Sequence, residues 1–291
     1  MKNIDYFDYK TLANPRFITP KHFSSVCHYG NYKAIAKLKN SRFNFITEYL
    51  EHGISFYCRP EDVALEGYAN RLCLKRIYTF GNVRKSTLDA FYNMHNLRRK
   101  VIAIGPYIKG AEFFKTQKEL DLLKQKYGKI LLVFPSHSIK TIHAKYDEAD
   151  LMKEIFRIEN DFDMIFICLY WKDILDKQRL LSYEKYISDK IKIVSAGHSS
   201  DPNFLSRLKD LIWLSDVTMS NNIGTHLGYS ICMGKAHYLF NQTVEYIVNG
   251  SSKINAKVYP DTPKFYDLFG NYPANITSEQ KELIERYWGK W

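Results

Sequence analysis

The sequence predicts an α/β protein of two Rossmann-like domains facing a cleft. Three observations carry this expectation. Short, continuously apolar runs recur, such as "KILLVF" at 129–134 and "MIFICLY" at 164–170. Segments of helical period separate them. Several runs end in polar loops. Continuous apolar strands alternating with helices imply a parallel sheet covered on both faces.

In the first half, "FNFITEYLEHGISFY" (43–57) and "LKRIYTFG" (74–81) mix β-branched and aromatic residues in short runs. "STLDAFYNMHNLRR" (86–99) reads as a helix, and "KVIAIGPYI" (100–108) as a buried strand that stops at Gly105-Pro106. The second series follows the polar helix 116–128, which ends at Gly128 in the position that favours glycine. "KILLVFPSHS" (129–138) is its strongest strand, broken at Pro135. A helix (146–160), a strand (163–171), a helix near 174–188 and a strand (192–198) come next. A helix (204–216), a short strand at 217–219, a helix over 224–234 and the strand 236–240 complete the series. Thr277 and Gln280 stand in capping-box spacing for a last helix. The expected division is residues 1–110, residues 111–275 and a closing helix, 276–291. The stretch 241–276 is open between a lid, an acceptor loop and plain surface.

The net charge of +11 suggests an anionic partner: nucleic acid, a phosphate-bearing ligand or an acidic membrane surface. A lysine-rich solvated surface would give the same number. No arginine-rich arm or nucleic-acid motif is present, so no nucleic acid is expected. Five cysteines, none in a CxxC pair, suggest buried thiols in a reducing compartment rather than a disulfide framework or zinc site. The amino terminus lacks an apolar signal core, and no run approaches a membrane span. The expectation is a cytoplasmic protein that meets the inner membrane, if at all, peripherally.

In open α/β sheets ligands bind beyond the carboxyl ends of strands. Three polar loops fall there: "PSHS" after 130–134, "SAGHSSD" (containing His198) after 191–194, and "SNNIGTH" after 217–219. A helix starting at Gly224 or Thr225 would expose backbone N–H groups and a partial positive charge to a phosphate. Ser220, Asn221 and Thr225 add polar side chains, and His226 lies beside them. Equally, Asn222 or Thr225 could merely cap that helix. Ser136, His137 and Ser138 would reach the same sheet edge, although a lone loop histidine is ordinary. "EHGISF" (51–56) places Glu51 and His52 in the first half, where a base near neutrality could take a proton from a sugar hydroxyl. A surface turn is the plain alternative. Arg84 and Lys235 are further basic candidates with solvated-surface alternatives. GxGxxG, GxxxxGK[ST] and GxSxG are all absent, and no DxD triplet stands at a strand end.

"EHGIS", "GKILLVFPSHS" and "SDVTMSNNIGTHLGYSICMGKAHYLF" together resemble bacterial GT-B glycosyltransferases of capsule and cell-surface polysaccharide synthesis. The likeness extends to the glycerophosphotransferases of teichoic acid synthesis and, through "EHG" and "SHS", to bacterial sialyltransferases. Ala236 stands where those proteins usually carry proline after Gly-Lys. The resemblance implies a nucleotide-sugar donor, CMP- or UDP/GDP-linked, with its phosphates at 136–138 and 220–225 and no metal or other cofactor. It implies a glycan or lipid-linked acceptor on the first half, with Glu51 or His52 as base, and a last helix that crosses back. Two rivals stay open: a nucleotide-sugar epimerase or hydrolase of the same fold, and a non-catalytic basic protein that binds nucleic acid.

Overall fold

Two parallel sheets carry the fold. The computed structural model describes residues 4–14, 28–56, 59–63, 73–139, 142–248, 252–255 and 260–291. The first sheet holds β1 (Glu48–Leu50), β2 (Arg76–Thr79) and β3 (Lys100–Ala103) in that order. Its register sets Glu48 beside Arg76 and Arg76 beside Lys100. Helix Asn82–Met94 returns the chain from β2 to β3. Ile77, Leu88, Phe91 and Val101 pack together on one side of this sheet, and Leu50, Tyr78 and Phe80 join the main core on the other.

The second half opens with β4 (Ile130–Phe134), then β5 (Ile142–Lys145), β6 (Met164–Cys168) and β7 (Ile191–Val194). β8 (Val217–Ser220), β9 (Ala236–Leu239), β10 (Glu245–Val248) and β11 (Ser252–Asn255) follow. Five of these make an all-parallel sheet in the order β7-β6-β4-β8-β9. All five β4 residues are buried, because helices cover both faces of this central strand. The order reverses between β4 and β8, the switch point beyond whose strand ends open α/β sheets place their ligands. This is the α/β architecture of parallel sheets and covering helices expected from the sequence, with one sheet in each half.

Several elements differ from expectation. The first described residues lie on the second half, not the first: Ser195 N–H donates to Tyr6 O and His198 N–H to Leu12 O, both at 3.0 Å. The helix expected near 174–188 is two helices, Trp171–Leu175 and Lys177–Glu184. Asp176 separates them, because its extended backbone stops the first while its carboxylate caps Gln178 and Arg179 of the second. Part of 241–276 forms a small antiparallel sheet, with β10 between β11 and β5, followed by helix Thr262–Phe269. Cys73 is exposed rather than buried, and Cys27 and Cys58 lie outside the described residues.

The last helix, Ser278–Trp288, has the capping box of Thr277 and Gln280. It packs on both helix Asn82–Met94 and helix Thr225–Cys232, so it ties the halves together. Trp288 is fully buried, and its indole N–H donates to Thr225 O at 3.2 Å. No helix among the described residues is long and apolar enough to cross a membrane.

Candidate functional site

The two loops at the β4–β8 switch point are joined directly. Asn221 Oδ1 accepts from Ser136 N–H at 2.7 Å, and Asn221 Nδ2 donates to Gln242 at 2.8 Å. Helix Thr225–Cys232 starts beside this junction. Its N-cap, Gly224, has extended backbone, and no side chain caps the helix. Asn222 and Thr225 are therefore not caps. Asn222 Oδ1 accepts from Ile223 N–H, and Thr225 Oγ1 accepts from Ile54 N–H across the cleft at 2.9 Å. Gly224 is half-buried, and a Cβ there would stand 2.7 Å from the His226 ring.

His226 stacks on Phe134, the last residue of β4, with ring centres 4.8 Å apart. It bonds the Asn222 carbonyl, and its buried Nε2 has no hydrogen-bond partner. Nδ1 is then the bonded nitrogen and carries the hydrogen, which leaves Nε2 as an acceptor. Desolvation, with added repulsion from His137, holds its pKa down at about 3. His137 is open to the cleft, yet the protein around it lowers its pKa to about 4.

The opposite wall comes from the first half. His52 lies beyond the carboxyl end of β1 and is solvent-accessible within the cleft. Crowding by protein lowers its pKa below the ordinary imidazole range, while the Glu51 carboxylate pulls upward. Its carbonyl accepts from Asn31 Nδ2 at 3.1 Å. A row of rings runs from it across the cleft. Tyr29 stacks on His52 at 6.1 Å, the Tyr29 and Tyr170 hydroxyls are 3.0 Å apart, and Tyr170 meets His137 at 4.4 Å. Tyr29 sits in left-handed backbone, φ 63°, a costly conformation for a residue other than glycine. Its N–H bond to Ser199 O, 2.6 Å, fixes it there. The next residue must be glycine, since a Cβ on Gly30 would meet Pro202 O at 2.2 Å.

The other candidates lie behind this surface. Glu51 and Arg84 are 4% and 1% exposed. The Glu51 carboxylate takes Thr79 Oγ1 at 2.5 Å, Arg84 Nε at 2.8 Å and Arg84 Nη2 at 2.7 Å. Arg84 is thus a buried counter-ion, not a solvated surface group, and Glu51 is committed to it. Ser220 is fully buried; its hydroxyl donates to Asn222 O and contacts His237 Nε2. Ser138 Oγ accepts from Ala144 N–H, and its own N–H reaches Asp173. These groups spend hydrogen bonds on the loops themselves. His198 is buried at the end of β7 against Trp171, with ring centres 4.1 Å apart, and its Nδ1 accepts from Ser200 N–H. Lys235 precedes β9, at the opposite end of the sheet. The structure brings together His52, Ser136, His137, Gly224, Thr225 and His226. Sequence reasoning missed Tyr29 and Tyr170. Tyr170 follows the carboxyl end of β6 and was findable by position, but its loop is aromatic rather than polar. Among the described residues no group of three or more His, Cys, Asp or Glu could hold a metal ion.

In sequence, the chain matches no protein-family model and no curated protein. Solved structures of similar outline include Staphylococcus aureus MnaA with UDP, at 11% identity and a TM-score of 0.42, covering 79% of this chain and 65% of that one. The Methanocaldococcus jannaschii UDP-GlcNAc 2-epimerase with UDP-GlcNAc and UDP gives 14%, 0.41, 79% and 59% in the same order. The catalytic domain of starch synthase IV from Arabidopsis thaliana, bound to ADP and acarbose, gives 9%, 0.35, 59% and 40%. The likeness is distant, and the chain spans less than two thirds of each of these structures.

Proposed function

We propose that the chain is a metal-independent glycosyltransferase of bacterial surface polysaccharide synthesis. It moves a sugar from a nucleotide-sugar donor to a glycan or lipid-linked acceptor. The observation that carries this reading is the convergence at one crevice. The joined Ser136 and Asn221 loops and an uncapped helix start face His52 from across the cleft. The donor phosphates lie against the amides that open helix Thr225–Cys232, near His137 and His226. The acceptor hydroxyl enters from the side of the first half. His52 takes its proton, and the hydroxyl oxygen forms a bond to the anomeric carbon. The bond from that carbon to the phosphate oxygen breaks, and its electron pair stays on the phosphate. Negative charge develops where the helix start supplies partial positive charge. Glu51 positions His52 from behind through its fixed pairing with Arg84.

Purified protein incubated with UDP-, GDP- and CMP-sugars, with and without glycan acceptors, tests the reading. Acceptor-dependent nucleotide release with a glycosylated product supports it. An epimerised nucleotide sugar, or free sugar formed equally without acceptor, means the rival enzyme of the same fold.

A further inference from the structure

We propose that the amino-terminal edge of the first sheet docks on an anionic lipid bilayer. The parallel register brings the starts of its three strands to one edge. Lys75 N–H donates to Thr47 O at 2.8 Å, and Lys100 N–H to Lys75 O at 3.0 Å, so the segments ahead of the strands are adjacent. Phe45 and Ile46 precede β1, and they are 45% and 72% exposed. Helix Asn82–Met94 runs back along the sheet and leaves Met94, 58% exposed, at the same end. An open concavity of about 660 Å³ lies there, lined by Lys75, Lys85, Arg98, Arg99 and Lys100, with Val101 and one acid, Asp89.

Part of this charge has local work. Lys85 pairs with Asp89, Arg76 with Glu48, and the Arg99 guanidinium lies over Tyr92. Cations after Met94 also complement the negative carboxyl end of that helix. Lys75 stands ahead of β2, away from the end of that helix, and Lys75, Arg98 and Lys100 are all exposed. A bilayer uses both kinds of group at this edge. Anionic headgroups meet the cations, and the interface takes up Ile46, Phe45 and Met94. A nucleic acid would engage the cations alone and leave three apolar side chains in water. The edge is opposite the carboxyl ends of the strands, so docking leaves the crevice at His52 open. This inference does not depend on the proposed chemistry.

Flotation with vesicles tests it. The wild-type chain is expected to bind vesicles of roughly one part phosphatidylglycerol to two parts phosphatidylcholine, more weakly as salt rises, and to ignore pure phosphatidylcholine. The variant Lys75→Glu/Arg98→Glu/Lys100→Glu is expected to lose roughly a hundredfold in partitioning. A control with the same charge change elsewhere, Lys126→Glu/Lys177→Glu/Lys185→Glu, is expected to lose far less. If the triple variant fails to fold, Lys75→Gln/Lys100→Gln decides, with roughly a thirtyfold loss expected. Equal losses in variant and control overturn the proposal, as does unchanged binding. Binding to an oligonucleotide but not to anionic vesicles, or to neither, overturns it as well.

Discussion

The Ser136 amide donates to Asn221 Oδ1 at 2.7 Å, and this bond joins the two loops that flank the β4–β8 crevice. Both residues are buried, at 6% and 0% exposure, so water cannot replace the lost partner. Asn221→Ala should therefore lower stability by about 1–3 kcal/mol, read by thermal or denaturant unfolding. It should also weaken nucleotide binding, because the loops lose their fixed spacing. Wild-type affinity in a variant so destabilised would mean that the junction does not shape the ligand site.

His52 is the proposed base, with its imidazole in the cleft and its pKa held low by crowding. His52→Ala should reduce kcat by roughly a hundredfold to ten-thousandfold while leaving nucleotide affinity unchanged. A variant that transfers sugar at the wild-type rate rules out the assignment.

Glu51 and Arg84 form a buried pair, and removing one member strands the other charge. Arg84→Ala should cost about 3–5 kcal/mol of stability. The double change Glu51→Gln/Arg84→Met should recover part of that loss, since no charge remains buried. If both variants unfold at the same denaturant concentration, the pair is not coupled in this way.

Stability should respond to pH through His137 and His226. Folded, they titrate at about 4 and about 3; their ordinary value is 6.5. Below about 6.5 the unfolded chain takes up protons that the folded chain refuses, so stability is full above that pH and falls as pH drops toward 4. His226→Asn should flatten the decline in melting temperature between about pH 7 and pH 5. A slope identical to wild type would show that His226 is not held neutral by burial. A bound phosphate favours the charged imidazoles, so nucleotide affinity should rise over the same acid range.

The second sheet was legible because its strands are buried on both faces and therefore read as unbroken apolar runs, as in Ile130–Phe134. The small antiparallel sheet was not. β5 reads "IHAK" and β10 "EYIV", four residues each with mixed polarity, and their pairing is set by tertiary contact rather than local pattern. The loops at the crevice followed from their place at strand ends. Which side chains are engaged inside the protein did not follow, since Ser220, Ser138 and Asn221 look like binding groups in sequence yet spend hydrogen bonds on neighbouring protein groups. Tyr29 carried no signal, because its turn is fixed by Ser199 and Pro202, far away in the chain.

Thermal unfolding with CMP, CDP, UDP, GDP and ADP, on wild type and Gly224→Val, tests the crevice most directly. One nucleotide should stabilise the wild-type chain, by about 2.7 kcal/mol at a hundredfold excess over its Kd. Gly224→Val, whose side chain would displace His226, should lose that gain. No shift with any nucleotide, or an equal shift in the variant, contradicts a phosphate-binding crevice between β4 and β8.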